Sequence, residues 1–332
     1  MRWIVLGVAV LVGCATGAPQ QNVSRDQFQA HLGAGEWAKA YVLAATLVCS
    51  APSYDDARTL VQLWDRVGRP SRPSSRLETC EIPPDVSAYV DALTLAVLEQ
   101  YPDAIAAVRS AQSSLAYTPE NQLNLAELRY REGVIAALAG LHADAAVALD
   151  DASGLNPERV DIRLAHAAAR LETDGPAASI ETLRGVLTLR PSAREVDRAR
   201  ELLNRAVERS QPPLDPTTRV EVASALSEIE KDQATPDTAL RLRTQVTSAS
   251  HPKLKTAAGL VMMKLGRLAE GSFYLVEAAE QSPLDPEPSR SLGTTLYAAG
   301  QLSRALPHLR DAVARDPFDR GTLLTLAEAS AA

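Results

Sequence analysis

Apolar residues recur three and four positions apart through most of the chain, and glycine or proline cuts the runs at intervals, which predicts successive amphipathic helices rather than strands. The pattern is sharpest toward the C-terminus. Residues 254–265 and 289–299 carry apolar positions at helical spacing and end at Gly266 and Gly300, which allow the chain to turn. Residues 269–281 and 303–315 predict the returning helices, and Pro283 and Pro317 follow them, where a missing amide and a restrained preceding residue stop a helix. Gly259, Gly266, Leu268, Gly271, Leu275, Ala278 and Pro283 are matched at an offset of 34 residues by Gly293, Gly300, Leu302, Ala305, Leu309, Ala312 and Pro317. Small residues at matching places predict close helix approach, so a large side chain at Ala305 is expected to cost about 1–3 kcal/mol by overpacking.

Upstream, Gly133, Gly140, Ala145, Leu149, Ala152 and Pro157 repeat the same intervals, and Ala167, Ser179, Leu183 and Pro191 form a degenerate neighbour. The 92 residues between Pro191 and Pro283 are not a multiple of 34, so the array contains an irregular element. Residues 193–209 read as an additional helix, broken by Gln211-Pro212-Pro213-Leu214-Asp215-Pro216. A hairpin is expected over 217–250, with Pro236 near the start of its second helix. Residues 86–99 and 103–115 predict a hairpin turning at Tyr101-Pro102, and Gly35, Trp37, Ala40 and Leu47 echo a single unit near the N-terminus. A last helix over 320–331 is expected to cap the apolar side of the final hairpin.

This period and spacing resemble the tetratricopeptide repeat, a helix-turn-helix unit of α-solenoids. The resemblance implies an all-α fold of stacked antiparallel hairpins with a C-terminal capping helix, and a function in binding other proteins. It divides the chain into a degenerate helical unit with a Pro-, Ser- and Arg-rich connection (26–85), an array (86–210), the break (211–216), and a second array with the cap (217–332). In such repeats the first helix of each hairpin lines the concave side. Carrying that pattern over residue by residue nominates Glu127, Tyr130 and Val134, then Asp161 and Leu164, then Lys253, Thr256, Leu260, Met263 and Lys264, then Glu287, Arg290, Thr294 and Tyr297. Tyr130, Met263 and Tyr297 offer large contact area to an apolar or extended peptide, or else fill gaps between hairpins. Repeat proteins that capture a C-terminal carboxylate use Lys and Asn in a fixed arrangement on this face; here Arg290 and Thr294 stand without the asparagines.

Hydrophobic content of 46% with 4% aromatics makes the apolar side one of Ala, Leu and Val. The formal charge of −7 and the lack of a basic run argue against a nucleic-acid binder, which needs a basic face to neutralise phosphate. Only five of the 34 basic residues are Lys. That balance suits anion recognition by guanidinium groups, and it also follows from genome base composition. His31, His142, His166, His251 and His308 are scattered without metal-ligand spacing, and neither a nucleophile elbow nor a phosphate-binding glycine loop is present. No cofactor, metal or small-molecule substrate is expected.

The N-terminus reads as an export signal over residues 1–13, with Met1-Arg2 as the positive start and an apolar run from Trp3 to Val12 too short to span a bilayer. Leu11-Val12-Gly13-Cys14 resembles the bacterial lipobox, which implies that Cys14 is acylated, that residues 14–25 form a lipidated tether, and that the membrane is a partner through this lipid. Ala15, where enteric sorting uses Asp for inner-membrane retention, favours the periplasmic face of the outer membrane. In an oxidising compartment the remaining Cys49 and Cys80 favour a disulfide, with free buried thiols and redox chemistry as the alternatives; the absence of Cys-x-x-Cys weighs against the last. The leading expectation is a non-catalytic, membrane-anchored adaptor holding envelope proteins or extended peptide segments for envelope, secretion or pilus assembly. The combination of lipobox and repeats resembles pilus pilotins and outer-membrane assembly lipoproteins. The rival is an enzyme acting on peptidoglycan, or its regulatory subunit; a self-assembling lattice is a third possibility.

Overall fold

The computed structural model describes residues 25–331, and Cys14, the signal segment and nearly all of the tether lie outside them. Among the described residues the regular structure is helical throughout, and the chain has a TPR-like all-α repeat fold. It divides at Glu99/Gln100 into two compact units.

The first unit contains α1 (Arg25–Gly33), α2 (Trp37–Ser50), α3 (Tyr54–Arg66), α4 (Pro73–Leu77) and α5 (Pro84–Val97). Its core is aliphatic with a few rings: Leu60, Val61, Trp64 and Val90 are buried, and Tyr54 meets Tyr89 edge-on at 4.8 Å. The Tyr54 hydroxyl donates to Asp85 at 2.6 Å, so the buried phenol and the carboxylate that starts α5 satisfy each other. The proline-rich stretch after α3 holds the short helix α4, begun by Pro73, which the composition alone reads only as a connection. Cys49 on α2 and Cys80 beyond α4 are bonded, their Cα atoms 5.4 Å apart.

The second unit holds the repeats: α6 (Tyr101–Ser114), α7 (Gln122–Leu138), α8 (His142–Leu155), α9 (Val160–Thr173), α10 (Pro176–Arg184), α11 (Ala193–Ser210), α12 (Pro216–Glu230), α13 (Pro236–Gln245), α14 (Pro252–Lys264), α15 (Leu268–Gln281), α16 (Glu287–Ala298), α17 (Leu302–Arg315) and α18 (Arg320–Ala331). Tyr101 and Pro102, expected as a turn, are instead the first residues of α6, where the absent proline amide would have no partner anyway. The hairpins α7/α8, α14/α15 and α16/α17 share one close contact. A Cβ on Gly133, Gly259 or Gly293 would lie 2.5, 2.6 or 2.8 Å from Cγ of Leu149, Leu275 or Leu309 respectively. In the degenerate hairpin Ala167 and Leu183 fill these places, and the buried Ser179 hydroxyl donates to the Ala167 carbonyl at 2.8 Å.

The turns repeat as well. Gly140, Gly266 and Gly300 sit at φ +76°, +76° and +72°, and the amide after each returns to a carbonyl in the last helical turn, as in Arg267 N to Met262 O at 2.9 Å. That left-handed conformation costs glycine little and most residues more, which is why these glycines mark the turns. Lys255 is buried between hairpins, with Nζ donating to Ser248 O at 2.9 Å and paired with Glu277 at 3.1 Å. The last helix leaves Leu323 and Leu324 exposed while burying Thr322 and Ala329, so it covers the final hairpin with a face that is only partly apolar.

Candidate binding groove

The irregular element shapes the site. Ala199, Leu202, Leu203, Ala206 and Val207 give α11 one apolar face, which packs on α9 and α10, and Phe318 and Leu284 from the turns after α17 and α15 join the same core. Gln211 to Asp215 then run extended between α11 and α12, where Pro212 and Pro213 remove two amides from helix formation.

The irregular element, α11 with this strap, is fastened along the starts of α14, α16 and α18 through residues spaced 34 apart. His251 precedes α14, Asp285 lies just before α16, and Asp319 precedes α18; each accepts from the amide two residues on, at 3.1, 2.9 and 3.2 Å. Each also binds the irregular element. His251 Nδ1 is the acceptor, so Nε2 carries the proton and donates to the Pro212 carbonyl at 2.9 Å. Gln211 Nε2 donates to Asp285 Oδ2 at 2.8 Å, and Arg200 Nη2 pairs with Asp319 at 3.3 Å.

Between strap and repeats lies a groove of about 1110 Å³. Its apolar surface comes from Val207, Leu214, Val222, Leu226, Ala257 and Leu260, and its polar groups include Arg219, His251, Lys253, Asp285, Glu287 and Arg290. Burial pushes the Asp285 carboxyl above its ordinary pKa, opposed by the Gln211 amide and the charges of Lys253, Arg290 and Arg315. Asp316 is raised too, again chiefly by burial, with Arg200 opposing and Asp319 reinforcing. Gln211 Oε1 is buried without a hydrogen-bond partner.

Of the residues nominated from the repeat pattern, Lys253, Leu260, Glu287 and Arg290, together with Thr256, line this groove. Glu287 and Arg290 pair with each other, and Arg290 also binds Asp319 at 2.9 Å. Met263 is corrected as a peptide contact in favour of the alternative reading: only 6% exposed, it packs on Gly271, where a Cβ would lie 2.8 Å from its Cγ, so it fills the hairpin interior. Leu164 is likewise a core residue. Lys264 is exposed and pairs with Asp232 at 2.8 Å, tying α14 to the α12–α13 turn. Thr294 bonds back to the Arg290 carbonyl of its own helix at 2.9 Å, and the Tyr297 hydroxyl donates to Glu328 of α18 at 3.2 Å. Tyr130 lies far along the chain on α7, its ring flanked by the guanidinium carbons of Arg131 and Arg159 at 4.9 and 5.0 Å. Burial raises its phenol pKa, and Arg159 is held by Glu127 and Asp161 at 2.5 and 2.8 Å.

Arg200 on α11, Gln211 on the strap, and Arg219 and Val222 on α12 escape the repeat pattern because they lie outside it. The row His251, Asp285, Asp319 was legible only as a spacing, since its residue types differ. Among the described residues no group of three or more His, Cys, Asp or Glu side chains is placed to hold a metal ion, and no helix is long and apolar enough to cross a membrane.

No family model matches the chain. No curated protein matches it either. Solved structures with similar helical arrangements include MamA from MSR-1, 21% identical with a TM-score of 0.34 over 50% of this chain and 93% of that one. The TPR2AB domain of yeast Sti1, in a complex with pHSP90, is 15% identical with a TM-score of 0.34 over 74% and 98%. YrrB, a TPR protein with an unusual peptide-binding site, is 13% identical with a TM-score of 0.26 over 82% and 99%.

Proposed function

We propose that the protein is a non-catalytic scaffold that binds partner proteins through the groove of its second unit while an acylated Cys14 holds it to the membrane. The observation that carries the reading is the groove itself, a concave space of about 1110 Å³ whose apolar surface is framed by charged side chains. Pockets of this make-up recognise ligands by apolar burial and take specificity from a few placed polar groups. The export-signal pattern ending in Leu11-Val12-Gly13-Cys14 supports the anchor, and Ala15 supports the outer membrane, facing the periplasm, as its place. An anchored binder works at raised effective concentration toward partners on the same membrane, which suits envelope, secretion or pilus assembly.

The test is site-specific photo-crosslinking in the native host. A photoreactive side chain at Leu226, in the groove, should give discrete adducts with envelope proteins, whereas one at the exposed Arg310 on α17 should not. Absence of adducts at Leu226, or the same adducts at both positions, sinks the groove as the binding face. Mass spectrometry of the mature N-terminus tests the anchor separately, and an unmodified Cys14 would remove it.

A further inference from the structure

The polar groups of the groove fall into those already engaged and those left over. Glu287 and Arg290 hold each other, Arg200 holds Asp316 and Asp319, and Asp285 accepts from Gln211 and from the Glu287 amide. Of the charged lining positions nominated by the repeat pattern, Glu287 and Arg290 are therefore occupied by intramolecular pairs, while Lys253 is not. What remains lies on the strap side. Arg219 on α12 donates to the Leu214 carbonyl at 3.4 Å, and neither it nor Lys253 at the start of α14 has a carboxylate partner among the described residues. Lys253 is near enough to help keep Asp285 charged but forms no ion pair with it. Glu208 on α11 and Asp285 are the lining carboxylates without an ion-pair partner among the described residues, and of the two Asp285 is already hydrogen-bonded by Gln211 and the Glu287 amide. Gln211 Oε1 adds a buried acceptor that lacks a donor. An unmet acceptor beside an apolar floor suits a main-chain N–H better than a wholly apolar ligand, because burial without a donor leaves desolvation uncompensated.

We propose that the groove takes an extended polypeptide segment with an acidic side chain set against Arg219 and Lys253 and aliphatic neighbours over Val222, Leu226, Ala257 and Leu260. Glu208, which also lines the groove, repels an acid placed beside it and so disfavours seating the acidic side chain there. The specificity thus resides in the irregular α11–α12 element and the start of α14, not in the charged pair of α16. The inference rests on the groove being the binding face.

Fluorescence anisotropy with full-length protein in detergent tests it, using three labelled, N-acetylated and C-amidated short peptides in which a central glutamate, glutamine or lysine is flanked by leucine and valine. Blocked ends leave the side chain as the only source of charge. The glutamate peptide should bind about tenfold more tightly than the lysine peptide at low salt, as two partly screened ion pairs allow. The margin should shrink as salt rises. In the double variant Arg219→Glu/Lys253→Glu the preference should reverse, while the circular-dichroism spectrum stays that of the parent and Arg310→Glu changes nothing. Equal binding of the three peptides, binding of none, or an unchanged preference in the double variant overturns the inference. Adducts at Leu226 in cells together with charge-blind peptide binding would leave the groove reading standing and this one fallen; no adducts and no peptide binding would remove both.

Discussion

The helices α14–α17 and the helices α11–α13 are built from similar residues, yet they reverse direction and hold together by different means. In the regular pair of hairpins, glycines at φ near +70° make the turns and a glycine-on-leucine contact sets the helix separation twice over. In the insert no such contact recurs. The turn from α12 to α13 uses Asp232 at φ +56°, a residue that tolerates the left-handed region through its short polar side chain. Side chains then fix the ends: Asp215 caps α12, Thr235 caps α13, and Ser192 with Glu195 forms a capping box on α11. Arg241 ties α13 to α12 through Glu221 and Glu228 at 3.1 and 2.9 Å. Repeats therefore set their spacing by one recurring shape contact, while the insert packs its apolar faces without that contact and has its ends fixed by individual polar contacts. A wall of that second kind can change its surface without disturbing the stack, and it is the wall that completes the groove.

The comparison can be broken most forcibly in the stacked region. Leu275→Ala removes the side chain that fills the space over Gly259 and should cost about 2–5 kcal/mol, whereas Val222→Ala in the insert should cost only about 1–2 kcal/mol. Urea unfolding followed by circular dichroism measures both, and equal losses would mean that the insert is packed as tightly as the repeats. The first unit has an irregular stretch of its own, fastened by a covalent bond instead of the hydrogen bonds that hold the strap. Closing a loop of 31 residues should contribute about 3–4 kcal/mol in the chain-entropy model, so Cys49→Ser with Cys80→Ser should destabilise that unit by this amount. Hydrogen exchange should show the loss in α2–α5 and leave α14–α17 unchanged. Exchange that rises equally in both units contradicts it.

Gly293→Ala probes the contact from the other side. The added methyl would lie 2.8 Å from Leu309 Cγ and 2.9 Å from the Leu309 backbone nitrogen, and since the backbone cannot yield like a side-chain end, about 1–3 kcal/mol of overpacking is expected. A neutral thermal shift there would show that the hairpin separation is soft. The smallest effect concerns the strap. Burial raises the Asp285 pKa in the folded chain, so its contribution to stability is fully present below the unfolded carboxyl value and is lost as pH rises through the folded one. Asp285→Asn does not ionise, and its single oxygen can serve Gln211 or the Glu287 amide but not both, a loss that is the same at every pH. The stability of the variant relative to the parent should therefore rise as pH climbs through the carboxylate range toward neutral. Paired denaturation curves at several pH values measure this, and a margin that grows on acidification has the wrong sign.

Much of the second unit was legible in the chain. Ala193 and Arg320 begin helices where the pattern places them, Pro236 opens α13 at its first position, and Gly259, Gly293 and Gly133 meet leucines as their smallness suggests. The site was legible in part. Lys253, Leu260, Glu287 and Arg290 line the groove, but Met263 shares their helical face by sequence spacing and is buried, because the neighbouring Gly271 draws α15 in against it. Arg219, Gln211 and Val222 carried no signal, since no repeat position matches them and their role depends on where the strap comes to rest.

Local physics accounts for that division. Helix periodicity, glycine at left-handed turns, proline at helix starts and small residues at close crossings act within a few residues or between adjacent helices, so the sequence by itself determined a stacked all-α repeat with one interruption. Which faces the interruption covers depends on contacts across long separations, such as Gln211 to Asp285, 74 residues apart, and Pro212 to His251. One partner of each such contact recurs every 34 residues, but its residue type varies and the other partner lies outside the repeat, so only the tertiary structure decided which charged groups satisfy one another and which are left facing the groove.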